Sequence, residues 1–293
     1  MRDAPNNAPY QSIWTHLHGL DFEQRYIKAG AVRTRYAHAG RRSAPAVIML
    51  HGTGGHWESF CANLAAHAEH YDCYALDFVG SGLSDKPAHP YEIATYVEHV
   101  LNFMSALNLE KASIIGVSLG SWVAAAIAIA APERVEKLVL LSAAGYFSTA
   151  ANRAQIKKDR GGSAADPSWE RIKGIFSRLL AREEARIDDL IGLRQALYSM
   201  PGAAEAMQNV LVLQNPDIRQ KNLIQDDGWR AIVAPALVVG SLADSDEYLD
   251  TARIVSKLIP DASYVEMEGV GHWPQFEDPE TFNRLSVAFL KGG

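Results

Sequence analysis

Cysteine is almost absent from this chain: two in 293 residues, Cys61 and Cys73, in no C-x-x-C or metal-like spacing. That excludes a disulfide scaffold and a cysteine-based metal or redox site, and both residues read as small buried hydrophobes in a reducing compartment. Long apolar runs are missing too. The longest, Val123 to Ala131, falls far short of the roughly 20 residues that a membrane span requires. Positive charge is not in excess: 28 Lys and Arg stand against 34 Asp and Glu, a net charge of -6, so nothing draws the chain to nucleic acid or to an anionic membrane. The opening Met1-Arg-Asp-Ala-Pro-Asn-Asn carries no apolar core of the kind a secretory signal needs, and a cytoplasmic protein is expected. Internal repeats and low-complexity tracts are lacking as well.

What is present is apolar substance for a buried core, 48% of residues, and one stretch that organises the rest. A β-branched run, Ser113 to Ile115, breaks at Gly116-Val117-Ser118-Leu119-Gly120 and passes into an alanine-rich segment that ends at Pro132. The pattern predicts a strand, a sharp turn and a tightly packed helix. A side chain at the apex of such a turn is pushed outward on a strained backbone, and the positions two before and two after it must be nearly free of side chain. Gly116 and Gly120 stand there, which makes Ser118 a candidate nucleophile. A glycine-rich turn gripping a phosphate at a helix N-terminus is the competing explanation. No Lys follows the second glycine, so a P-loop is excluded.

Along the chain, residues 1–20 mix Pro, Asn, His and Trp without period and are expected to form a surface arm. An antiparallel edge hairpin should follow from Asp21, turning at Ala29-Gly30. Ala46 to Leu50 reads as a strand buried on both faces, then a helix from Trp57 to about Ala68, the strand Cys73 to Leu76, a helix over Ile93 to Leu107, and a strand over Leu138 to Leu141. From about Phe147 to Asp227 the sequence is helical, charged and irregular, with Arg160 to Pro167 as a flexible joint. Strand-forming sequence resumes at Pro235 to Gly240 and Ser263 to Met267, and Asp278-Pro279 opens the last helix. Strands alternating with helices predict an α/β class with a mostly parallel twisted sheet covered on both faces. The expected organisation is an arm at 1–20, a core at 21–146 and 228–293, and an inserted helical cap at 147–227.

Ligands of parallel sheets sit beyond the carboxyl ends of the strands. The polar residues at those ends are His51, Thr53, Asp77, Ser118, Asp244 and His272. A serine hydroxyl is protonated at neutral pH, so it needs an imidazole to take its proton and a carboxylate to fix the imidazole tautomer. Ser118, Asp244 and His272 supply that set. Asp246 is the rival acid in the same loop, and counting from the strand end favours Asp244. Of the other histidines, His67, His70 and His99 lie on predicted helices and are expected to be solvated. His16, His18 and His38 fall in the arm and hairpin, His56 and His89 in loops, and His51 should brace its own turn. Asp77 should stabilise the glycine-rich loop that follows it. Developing oxyanion charge needs preorganised donors, which the backbone N–H groups of Leu119 and of Thr53 in His51-Gly-Thr-Gly-Gly55 can provide. Nucleophile, base and donors all come from the chain, so no metal or organic cofactor is required.

Taken together, HGTGG, GVSLG, a strand-end Asp and GVGHW, in that order, resemble the α/β-hydrolase fold family from about Asp21 onward. Within it the chain is most similar to the meta-cleavage product hydrolases, which cut a carbon–carbon bond in ring-opened aromatic or steroid catabolites. That likeness rests on Gly271-His-Trp-Pro-Gln-Phe-Glu-Asp-Pro-Glu with Phe282-Asn-Arg, on Gly120-Ser-Trp-Val-Ala, and on Arg194 within Leu193 to Gly202. The resemblance implies a small-molecule substrate of the 2-hydroxy-6-oxohexa-2,4-dienoate type. Gly52, Gly54, Arg194 and Trp273 would contact it, with Arg194 at its carboxylate and 2-oxo end. Relatives in this group often pair, which makes a homodimer an expectation. Two positions depart from the group's pattern: Ser59 or Glu58 stands where a glycine-rich loop often carries an asparagine, and Val117 replaces an asparagine before the nucleophile. A carboxylesterase or lactonase with the same triad is the second reading, and a non-catalytic ligand receptor on the same scaffold is a third. A serine at 118 excludes the carboxylate-nucleophile chemistry of haloalkane dehalogenases and epoxide hydrolases.

Overall fold

The computed structural model describes residues 11–292. Residues 1–10, half of the expected arm, lie outside the described residues. The other half is not an aperiodic arm: Ser12 caps a short helix, α1 (Ile13–Leu17), by accepting from Trp14 N, and Leu17 is buried. Ser12 Oγ also bonds Asp189 of the inserted helices, which ties this segment down.

A hairpin of β1 (Phe22–Ala29) and β2 (Val32–Ala39) forms one edge of an eight-stranded sheet. Gly30, φ 61°, takes the first of its two loop positions, where a positive φ matches the twist of the flanking strands. β3 (Ala46–Leu50) is buried at every position, as a strand covered on both faces must be. The helix expected over Trp57 to Ala68 is broken into a 3-10 turn, Trp57–Phe60, and α2 (Leu64–Ala68). Tertiary bonds account for the break: Trp57 N is held by Asp77 Oδ1 at 2.8 Å, and Asn63 Nδ2 donates to Gln275 O and Asn283 Oδ1, both at 2.8 Å.

β4 (Asp72–Leu76), α3 (Ile93–Ala106), β5 (Ala112–Val117), α4 (Leu119–Ala130) and β6 (Val135–Leu141) complete the first half of the core. After β6 come seven helices without a strand: α5 (Ala150–Ile156), α6 (Gly162–Ala165), α7 (Trp169–Leu179), α8 (Asp188–Tyr198), α9 (Ala203–Val210), α10 (Pro216–Asn222) and α11 (Asp226–Arg230). The expected flexible joint is instead helical. A π-turn, Lys157–Gly161, leads directly into α6, and Arg160, 9% exposed, anchors it by donating from Nε to Thr53 O at 3.2 Å. The core resumes with β7 (Ala236–Ser241), α12 (Asp246–Leu258), β8 (Ala262–Met267), α13 (Pro274–Glu277) and α14 (Pro279–Lys291). The strand order is β1-β2-β4-β3-β5-β6-β7-β8, parallel from β4 onward.

Two histidines expected in solvent are core residues. His99 lies on the α3 face that carries Tyr96, Val100 and Phe103, where its ring bonds Thr34 Oγ1 at 2.7 Å and accepts from Val79 N at 3.2 Å. His67 joins Asn63 O and Ser286 Oγ. Burial lowers both to about 4, so each is held neutral. Cys61 and Cys73 are buried free thiols. Among the described residues no helix is long and apolar enough to cross a membrane.

Candidate active site

The turn between β5 and α4 has the geometry that its two glycines predict. A Cβ on Gly116 would lie 2.3 Å from Gly120 O, and one on Gly120 would lie 2.1 Å from Leu50 O. With no side chain at either place, strand and helix close on each other and Ser118 is held at φ 57°, ψ -117°, a strained conformation for a non-glycine residue. Ser121 Oγ donates to Ser118 O at 2.6 Å and fastens the first turn of α4.

His272 reaches the same rim on the loop after β8, and several bonds fix that loop. His272 N donates to Leu179 O at 2.8 Å, and Ser142 Oγ donates to His272 O at 3.0 Å. Gly271 N donates to the buried Glu277 at 2.7 Å. Asp244, in the loop after β7, meets His272 Nδ1 at 2.9 Å through Oδ2. The rival acid, Asp246, is instead the first residue of α12, a position that favours acidic side chains. The Tyr248 ring packs edge-on against the imidazole, 4.3 Å between centroids.

Ser118, Asp244 and His272 line one cavity of about 300 Å³, together with Gly52, Thr53 and Trp273. Among the described residues no hydrogen bond joins Ser118 Oγ to His272; in ligand-free enzymes such bonds are commonly long and tighten only around substrate. Gly52 lies against the serine, since a Cβ there would fall 3.2 Å from Ser118 Cβ. Leu119 is the first residue of α4, so its N–H has no acceptor within the helix and stays free for a ligand. A hydroxyl on a strained apex, an imidazole held by a carboxylate, and free backbone donors are the parts that nucleophilic attack on a carbonyl requires.

Two expected contact residues lie elsewhere. Gly54, at φ 65°, turns toward α8 and α9, where a Cβ would fall 2.5 Å from Tyr198 Oη and 3.1 Å from Met207 Cε. Arg194 is not on the cavity wall and is fully buried. Its guanidinium lies over the rings of Phe176 and Trp273, 4.9 and 5.6 Å from their centroids, and among the described residues none of its three nitrogens has a hydrogen-bond partner. Burial first, and then the neighbouring Arg160, lower it to about 10 against the opposing pull of Tyr198 and Glu58.

Next in chain order to the Gly52–Gly55 loop lies a buried charge cluster. Arg35 Nε donates to Asp77 at 2.6 Å and Nη2 to Glu58 at 2.8 Å, while His56 Nδ1 meets Glu58 at 2.8 Å. Asp77 also accepts from Leu83 N at 2.8 Å, so it binds both its own loop and a distant cation. His51 braces its turn through Gly52 O at 2.7 Å and Phe78 N at 3.1 Å. The helical insertion supplies the other cavity wall, with Asn152, Gln155, Asp159, Arg160, Arg178 and Leu179. Sequence reading missed these residues because irregular helical sequence carries no pocket-lining motif.

The chain belongs to the α/β-hydrolase fold family, whose model matches residues 45–279. More narrowly, it is similar to hydrolases of meta-cleavage products. It is 29% identical to the 2-hydroxy-6-oxo-6-(2'-aminophenyl)hexa-2,4-dienoic acid hydrolase of Metapseudomonas resinovorans, over 92% of this chain and 91% of that protein. It is 30% identical to the 2-hydroxy-6-oxononadienedioate/2-hydroxy-6-oxononatrienedioate hydrolase of Paraburkholderia xenovorans, over 89% and 91%. Among solved structures, the meta-cleavage product hydrolase CumD of Pseudomonas fluorescens IP01 superposes with a TM-score of 0.78 at 27% identity, covering 91% of this chain and 97% of that one.

Proposed function

We propose that the protein hydrolyses the carbon–carbon bond of a 2-hydroxy-6-oxohexa-2,4-dienoate, with Ser118, His272 and Asp244 as its triad. The observation that carries this reading over an esterase or lactonase is Arg194. A fully buried guanidinium without an acceptor is costly to keep in a ligand-free fold, and a neutral ester gives it nothing to pair with. A dienoate carboxylate does. The Arg194 guanidinium lies over the ring of Trp273, the neighbour of the candidate base in sequence, and Trp273 lines the Ser118 cavity.

The dienol first becomes its keto tautomer, a proton leaving the 2-hydroxyl and one arriving at C5. Ser118 and His272 then promote attack on the C6 ketone, with His272 taking the nucleophile's proton and Asp244 holding the imidazolium. The N–H groups of Leu119 and Thr53 receive the oxyanion. Collapse breaks the C5–C6 bond, and its electron pair runs through the C3–C4 double bond onto the 2-oxo oxygen as a dienolate, which takes a proton there to become the 2-hydroxydienoate. Water supplies the hydroxyl of the carboxylic acid, and Arg194 offsets the charge of the carboxylate beside that oxygen. One water is consumed overall, giving a 2-hydroxydienoate and a carboxylic acid. The reading includes a cytoplasmic setting, with which two buried free thiols agree, and a homodimer, which light scattering checks. A dienoate panel assayed beside nitrophenyl esters tests the proposal: decay of dienoate absorbance supports it, and turnover of esters alone overturns it.

A further inference from the structure

Arg160 lies on the wall of the Ser118 cavity and is 9% exposed. Its one hydrogen bond among the described residues runs from Nε to Thr53 O at 3.2 Å. Nη1 and Nη2 have none, and no carboxylate is paired with the guanidinium. Its neighbours make the contrast plain. Asp159, on the same wall, is taken by Arg178 Nε at 2.6 Å and by Gln155 Nε2 at 2.8 Å, and Asp244 is taken by His272. Both acids of the cavity are therefore engaged, and Arg160 is left as its uncompensated cation. Arg160 belongs to the π-turn Lys157–Gly161; such turns recur at functional sites.

Building on the hydrolase reading above, we infer that Arg160 makes the direct contact with the substrate carboxylate, with Arg194 behind it as the second half of a two-arginine clamp. Nε is already committed to the Thr53 carbonyl, which restrains the guanidinium and leaves both Nη atoms without a partner among the described residues. A planar fork of this kind suits a carboxylate. Its attachment to Thr53 also couples acid recognition to the loop that supplies an oxyanion donor, so Arg160 is a specificity-determining residue.

The test compares Arg160→Gln and Arg160→Lys with the wild-type enzyme, using sorbate and methyl sorbate as competitive inhibitors of nitrophenyl butyrate hydrolysis. Sorbate is a hexa-2,4-dienoate, and its methyl ester lacks only the charge. The Gln variant should weaken sorbate by about tenfold or more, the size of one lost charge-assisted contact, with partial recovery in the Lys variant and no change for methyl sorbate. Equal weakening of both inhibitors, or sorbate inhibition within twofold of wild type, overturns the assignment. Because the assay reads ester turnover, it stands even if no dienoate is cleaved, so failure of the carbon–carbon reading is seen separately. Should the Gln variant not fold, a crystal of the wild-type protein with sorbate decides: a carboxylate on the Arg160 Nη atoms supports the clamp, and one placed elsewhere refutes it.

Discussion

Arg194 lies over the indole of Trp273, 5.6 Å from its centroid, with no acceptor for any of its three nitrogens. A cation buried without a partner is costly to the fold, and under the proposed function a substrate carboxylate would supply that partner. Arg194→Met should therefore raise the free energy of unfolding by an amount on the order of 1 kcal/mol, while lowering kcat/KM for an acidic dienoate by at least about tenfold. Urea denaturation and steady-state kinetics measure the two effects. A variant that loses stability and acts equally on acid and methyl ester contradicts the role.

Asp244 meets Nδ1 of His272 at 2.9 Å. Asp244→Asn should cost about 10⁴ in kcat by presenting the wrong tautomer, with little change in melting temperature. Asp246→Asn, altering only the first turn of α12, should leave kcat within about twofold. Equal losses in the two variants would falsify the assignment of the acid.

Ser118→Ala should lower turnover by at least about 10³ and leave the fold intact. Gly120→Ala acts on the same turn through the opposite property. Its Cβ would sit 2.1 Å from Leu50 O, so destabilisation of about 1–3 kcal/mol or more is expected. Circular dichroism melts separate the two: a Gly120→Ala protein as stable as wild type contradicts the close packing of the turn between β5 and α4.

His51, His67 and His99 are each lowered to about 4 by burial. The unfolded chain binds a proton at each near the ordinary imidazole value of about 6.5, so between that pH and about 4 it holds more protons than the fold. Stability is then complete above the unfolded value and falls as pH drops through this window, by up to roughly 1.4 kcal/mol per unit for each histidine. Urea midpoints at pH 7 and pH 5 check the slope, and a midpoint unchanged between them contradicts neutral burial.

Much of the fold was legible because its constraints are local. Gly116 and Gly120 exclude side chains that the strand-to-helix closure cannot hold, and the continuous apolar run of β3 marks a strand covered on both sides. The pairing of Asp244 with His272 was legible because the distance from a strand end limits where a carboxylate can reach. What failed depends on distant partners. The break after Phe60 comes from bonds to Asp77 and Gln275, and the burial of His99 from Thr34 and Val79. Arg160-Gly-Gly resembles a joint in one dimension. The bond to Thr53, 107 positions away, gives it a place on the cavity wall.

The most direct measurement mixes wild-type protein with a 2-hydroxy-6-oxohexa-2,4-dienoate and, separately, with a nitrophenyl ester. The account requires the dienoate chromophore to decay to a 2-hydroxydienoate and a carboxylic acid, with kcat/KM at least about 100-fold above that for the ester. Efficient ester hydrolysis with an unchanged dienoate spectrum would contradict it.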